Sequence, residues 1–178
     1  MKQPRDIGDL DFASFVALAL ERAKSQDDEI DTEALELVLT LHRATSTVVY
    51  DLESSVHRPA GWTWSGFRLL FALWIAEPLD AKDAARISGM SRQTVSSLAK
   101  TLERDGHISR SPSVHDRRAV VLELTPSGRQ AIGAAFRAHN VRERAWADLL
   151  TPRERRTMVS VLGKLLTSAP DLEVRRRR

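Results

Sequence analysis

Cysteine is absent from this chain, which excludes disulfide staples, thiolate metal sites and cysteine nucleophiles together. Also missing are a glycine-rich phosphate loop, a zinc-ligand spacing and a serine-nucleophile motif, so the converging groups that an enzyme needs are not found. The five histidines are scattered, and neither a metal nor a cofactor is expected. Long apolar runs are lacking too. The N-terminal apolar stretch is short, follows Asp6, Asp9 and Asp11 and is interrupted by Glu21, which fits neither a secretory leader nor a membrane span. The chain is therefore expected to be cytoplasmic, with no membrane partner. Net charge is small, +3 over 178 residues, so bulk charge does not argue for a polyanionic partner. Its distribution says more: Asp27, Asp28, Glu29, Asp31 and Glu33 make the N-terminal part acidic, while arginine accumulates in the centre and at positions 175–178.

What is present centres on residues 80–125. Asp80 can cap a short helix carrying Ala84, Ala85 and Ile87 at helical spacing, and Gly89 ends it by adopting a backbone conformation that residues with a Cβ avoid. Ser91 caps a second helix, 91–105, in which Val95, Leu98, Ala99 and Leu102 share one stripe. Arg92, Gln93, Thr94, Ser96, Ser97 and Lys100 fall on the other faces. Such short polar and weakly basic side chains reach base edges and phosphates when a helix enters a major groove, whereas a merely solvated helix more usually carries Glu and Lys. Asp105-Gly106 stops that helix. Residues 107–110 and 119–124 read as two strands, because Val120, Leu122 and Leu124 alternate with Val121 and Glu123. Between them Arg110, His115, Asp116, Arg117 and Arg118 make a basic hairpin over 107–124, suited to the negative potential of a minor groove. Alone, such a loop is as readily a solvated turn. Following a serine-capped polar helix, it points to double-stranded DNA.

Ser91, Thr94, Val95, Leu98, Leu102 and Gly106, then Asp116-Arg117-Arg118 and Leu124-Thr125-Pro126-Ser127-Gly128, carry a resemblance to the multiple antibiotic resistance regulator (MarR) family. The match is close over the central third, and helix order extends it across about 32–167. The resemblance implies a mainly α fold with a small β-hairpin wing, in which a winged helix-turn-helix lobe binds DNA and a helical lobe forms a homodimer. It further implies that Asp116 orients Arg118 into the minor groove; simple pairing of Asp116 with a neighbouring arginine to stiffen the hairpin is compatible with that. Members that sense peroxides through a reactive cysteine are a poor guide to a chain without one. Members that bind urate use a tryptophan in an added N-terminal helix and an arginine within the recognition helix, and both are missing here.

The remaining chain supplies helices. Residues 9–24 read as an amphipathic helix through Phe12, Phe15, Val16, Ala19 and Ala23, followed by an acidic linker to residue 31. Residues 32–56 form a long helix with Leu35, Val38, Leu41, Thr45, Val48 and Leu52 at spacings of three and four, and such a stripe requires a partner. Pro59 and Gly61 break it, Thr63 caps a core helix over 64–75, and Glu77-Pro78 ends that helix. Thr125 with Pro126, and Thr151 with Glu154, start two further helices by a proline in the first turn and by a capping box. The expected organisation is an extension at 1–31, a dimerisation lobe from 32–62 and 125–168, a DNA lobe at 63–124 and a basic tail at 169–178.

His57, Trp62, Trp64, Arg68 and Trp74 gather around the core helix. The family resemblance implies a small, often aromatic or phenolic effector in this region; aromatic residues at helical spacing equally serve as core. The expected function is a homodimeric transcriptional repressor of a pseudo-palindromic site, released by such an effector, with Lys100 and Arg110 on phosphates. A winged helix serving only as a protein-interaction scaffold is the alternative, against which Arg117 and Arg118 weigh.

Overall fold

The computed structural model describes residues 11–113 and 119–168. Chain contacts divide the protein between Tyr50 and Asp51. In the first unit, α1 (Phe12–Gln26) starts at Asp11, whose carboxylate accepts from the Ser14 amide at 2.8 Å. Val16 is buried, Phe15 is exposed, and the Arg43 guanidinium lies 5.7 Å above the Phe12 ring. Asp31 caps α2 (Thr32–Leu52), accepting from the Ala34 amide. Along its whole length α2 buries only Leu52, and Leu37, Val38 and Tyr50 are exposed.

The second unit begins as α2 widens into a π-helical turn (Glu53–His57), a device that often marks a functional site. Next come α3 (Trp64–Ala76), β1 (Leu79–Asp80), α4 (Ala81–Ser88), α5 (Arg92–Arg104), β2 (Ile108–Pro112), β3 (Val120–Leu124), α6 (Pro126–Ala147) and α7 (Pro152–Ser168). The core forms on α3, where Phe67, Leu69, Leu70 and Leu73 are 3 % exposed or less. Against it pack Ala84 and Ala85 of α4, Val95, Ala99 and Leu102 of α5, Leu122 and Leu124 of β3, and Ile132 and Ala135 of α6. Ile87 departs from the expected core stripe of α4. Its side chain is exposed, because Ala84, Ala85 and Ser88 already fill the inward face of this two-turn helix.

The sheet has the order β1-β3-β2, antiparallel throughout. Ile108 pairs with Leu124 and Arg110 with Leu122, while Leu79 adds one short rung beside Leu122. That third strand is absent from the sequence expectation, since two residues after a proline carry no alternation to read. Glu77 secures the junction: one carboxylate oxygen accepts from the Leu124 amide at 2.6 Å and the other pairs with Arg129.

Thr125 caps α6 by accepting from the Gly128 amide at 2.9 Å, and its hydroxyl donates to the Gly106 carbonyl. This brings Gly128 so close to β2 that a Cβ there would lie 1.8 Å from the His107 carbonyl oxygen. Helix propensity alone would make Gly128→Ala stabilising by about 1 kcal/mol. The clash reverses the sign. Gly128→Ala is expected to destabilise by ~3 kcal/mol or more in urea unfolding, and an unchanged or raised midpoint would contradict this packing.

Candidate nucleic-acid interface

Asp80 and Ser91 set the two helices of the motif, accepting from the Asp83 amide at 2.7 Å and the Thr94 amide at 3.1 Å. Between them Gly89 takes φ 65°, a left-handed turn that a Cβ disfavours. The buried stripe of α5 leaves Ser91, Arg92, Gln93, Thr94, Ser96, Ser97 and Lys100 all exposed on one continuous surface. Each donor or acceptor there is held on a rigid helix, and the free amides of the α5 N-terminus favour a negatively charged partner.

Arg110 lies on β2 and is only 27 % exposed, because it reaches back 3.1 Å to Glu103 of α5. That ion pair joins the helix to the hairpin and presents Arg110 in a fixed place. His115, Asp116, Arg117 and Arg118 lie outside the described residues. A cleft of about 340 Å³ opens beside the hairpin base, lined by Asp80, Lys82, Arg92, Ser96, Arg110 and Val120 among others. It collects three cations from α4, α5 and β2. Lys82 did not emerge from the sequence as a site residue, although a signal existed: a lysine in the first turn of a helix opposes the helix dipole.

The residues expected around an effector do not converge on one point. His57 is fully buried, stacked on Phe67 at 4.2 Å and on Trp64 at 5.3 Å. Trp74 belongs to the same aromatic layer through Phe71 and Phe136. Trp62 instead meets His107 edge-on at 5.3 Å, and Arg68 donates to the Ser88 carbonyl at the end of α4. Among the described residues no cluster of three or more His, Asp or Glu is placed to hold a metal, and no helix is long and apolar enough to cross a membrane.

Residues 61–119, spanning α3 to the hairpin, match the family model of the MarR family. An HTH-type transcriptional regulator of Bacillus subtilis, YwaE, is 28 % identical over 138 residues, covering 78 % of this chain and 81 % of that protein. The transcriptional repressor CouR, solved bound to a 23-mer DNA duplex, is similar with a TM-score of 0.69 and 26 % identity, covering 78 % of this chain and 99 % of that one. The chain belongs to the MarR family. Bordetella bronchiseptica BpsR, whose DNA binding is regulated by 6-hydroxynicotinic acid, shares the fold with a TM-score of 0.68 at 23 % identity, over 73 % of this chain and 98 % of its own. This MarR-family protein is thus a winged-helix transcriptional regulator, and the family consists of regulators rather than enzymes.

The position of Arg68 gives a direct test. Arg68→Ala removes a donor from the Ser88 carbonyl, which should destabilise the protein by about 1–3 kcal/mol and loosen the turn ahead of α5. Unchanged thermal unfolding, with only an effector response altered, would instead make Arg68 a ligand group.

Proposed function

We propose that this MarR-family regulator acts as a homodimeric repressor, placing α5 in the major groove and the hairpin over 107–124 in the adjacent minor groove of a pseudo-palindromic operator. The observation that carries this reading is the outward face of α5, where seven polar or basic side chains are all exposed above a buried apolar stripe. Gln93, Thr94, Ser96 and Ser97 read base edges, Ser91 and Arg92 approach at the helix N-terminus, and Lys82, Lys100 and Arg110 hold phosphates. His115 and Arg117 accompany Arg118 at the wing, with Asp116 orienting Arg118. Half-sites then lie about one helical turn, ~10 bp, apart. Sequencing the genomic fragments that copurify with the protein, followed by gel shifts at two salt concentrations, tests it; a complex insensitive to both sequence and salt would refute it.

Helix contributions divide by what each can touch. Gln93→Ala should change base preference at a cost of about 1–3 kcal/mol. Arg118→Ala should weaken all operator variants alike and reduce the salt dependence by about one counterion. Asp116→Ala should reproduce part of that loss, and tighter binding would show that Asp116 does not organise the wing.

The dimerisation lobe follows from the same economy of burial, comprising 32–62 and 125–168, with 63–124 as the DNA lobe, 1–31 as an extension and 169–178 as a basic tail. Helix α7 buries no residue, and its Met158, Val159, Val161, Leu165 and Leu166 are exposed, as are Leu37 and Val38 of α2. A second copy of the chain covers these side chains. Leu165 is 45 % exposed in one chain, so Leu165→Glu leaves the charge solvated in a monomer and buries it in a dimer, at ~3 kcal/mol or more. Sedimentation should show the variant dissociating, and a folded wild-type monomer at micromolar concentration would contradict the lobe assignment.

A small aromatic or phenolic effector relieves repression by biasing the distance between the two DNA lobes. The aromatic layer of His57, Trp64, Phe67 and Trp74, together with the regulation of BpsR by a hydroxylated nicotinic acid, supports this part of the reading.

A further inference from the structure

His57 and His139 form a buried imidazole pair whose protons can be assigned from their partners. His139 Nε2 lies 3.0 Å from a Glu143 carboxylate oxygen, and a carboxylate only accepts, so this nitrogen carries the proton. Neutral His139 then has a bare Nδ1. It lies 3.0 Å from His57 Nε2, which must therefore be the donor. His57 Nδ1 is left as a bare, buried nitrogen with no hydrogen-bond partner. One arrangement satisfies the chain, and it holds both rings neutral.

No added proton fits this arrangement. At His139 Nδ1 it would set two N–H groups against each other; at His57 Nδ1 it would create an imidazolium buried without an acceptor. The neighbours do little to offset the charge. From the π turn, Glu53 is committed to the Trp64 amide and to Arg58. From α3, Trp64 and Phe67 present only ring faces, and from α6 Phe136 lies beside His139 and Glu143, whose carboxylate also accepts from Asn140. Asp51, at the end of α2, is occupied by Arg142 and Trp146. Burial, and secondarily the approach of His139, lowers the His57 pKa from the ordinary 6.5 to about 4, against a smaller opposing pull from Glu53.

We propose that His57, His139 and Glu143 form a proton-sensitive latch that fastens the π turn to α6 at neutral pH and opens in mild acid. Its position gives the opening a consequence. The π turn enters the winged-helix module ahead of α3 and α6 leaves it after β3, so the latch ties the two ends of the DNA lobe. Glu143, 45 % exposed, connects the buried pair to solvent. The proposal is one of acid-triggered loosening, distinct from effector release, and only its effect on DNA rests on the reading given above.

The sign is set by the lowered pKa. Between about 6.5 and 4 the unfolded chain binds the proton that the folded chain refuses, so stability is complete above 6.5 and falls with pH. Asp51 and Glu53, also held below their ordinary 3.8 and 4.5, lose their contributions only at lower pH. The window from 6.5 to 5 therefore belongs to the histidine pair.

The test uses the full chain. Imidazole ¹⁵N spectra should show His57 neutral at pH 5.5, and urea unfolding should give a folding constant about thirtyfold smaller at pH 5 than at pH 7.5. The Trp64 ring beside His57 supplies a fluorescence change over the same window. In His57→Gln the pH response should largely vanish; should that variant not fold, Glu143→Gln at the exposed end should shift the midpoint. Binding of the wild type to a copurified operator fragment should weaken over the same range. An ordinary titration of His57 near 6.5, or a stability independent of pH between 7.5 and 5, would overturn the latch. The spectra and unfolding are read without DNA, so failure to bind DNA at neutral pH counts against the operator reading alone.

Discussion

The contact between α5 and α3 governs the arrangement of everything that can touch DNA. Val95, Ala99 and Leu102 are 3 % exposed or less against Leu69, Leu70 and Leu73, and a fully buried aliphatic side chain contributes about 2 kcal/mol. Rotating α5 by even one position would exchange an apolar residue for a polar one in that seam. The burial thus decides which face of the helix is displayed, and the display is the functional surface. Ser91 fixes where the helix begins, the Glu103 to Arg110 pair fixes its relation to the hairpin, and Arg68 on the Ser88 carbonyl holds the turn before it.

Much of this was legible in residue order because it is local. Caps at Asp80, Ser91, Thr125 and Thr151 act over three residues, and helical stripes act over seven or eight. The structure places each cap where the sequence indicated. Contacts between distant segments left no such mark. Glu77 reads as a helix-ending residue before a proline, yet its carboxylate closes the sheet against Leu124. Gly128 reads as an ordinary small residue after a proline, although the His107 carbonyl excludes any side chain there. Lys82 became a candidate only when α4, α5 and β2 were seen to share a cleft, and Ile87 was misassigned because helical spacing alone does not say how wide the buried face is.

The same distinction applies to the aromatic region. Its residues cluster in sequence, but packing separates them into a layer around His57, an edge contact of Trp62 with His107, and a strut from Arg68. His139, eighty-two positions from His57, completes the layer and brings a titratable partner that no local pattern foretold. Stacking, a single satisfiable set of protons and a π-helical turn then coincide at the junction between the long helix and the winged module.

Amide hydrogen exchange of the full chain, with and without a copurified operator duplex, tests the central claim that α5 and the hairpin form the DNA surface. Exchange should slow across residues 91–101 and 107–124 with operator and far less with a scrambled duplex of the same length. Protection confined to another surface, with α5 unchanged by bound DNA, would contradict the account.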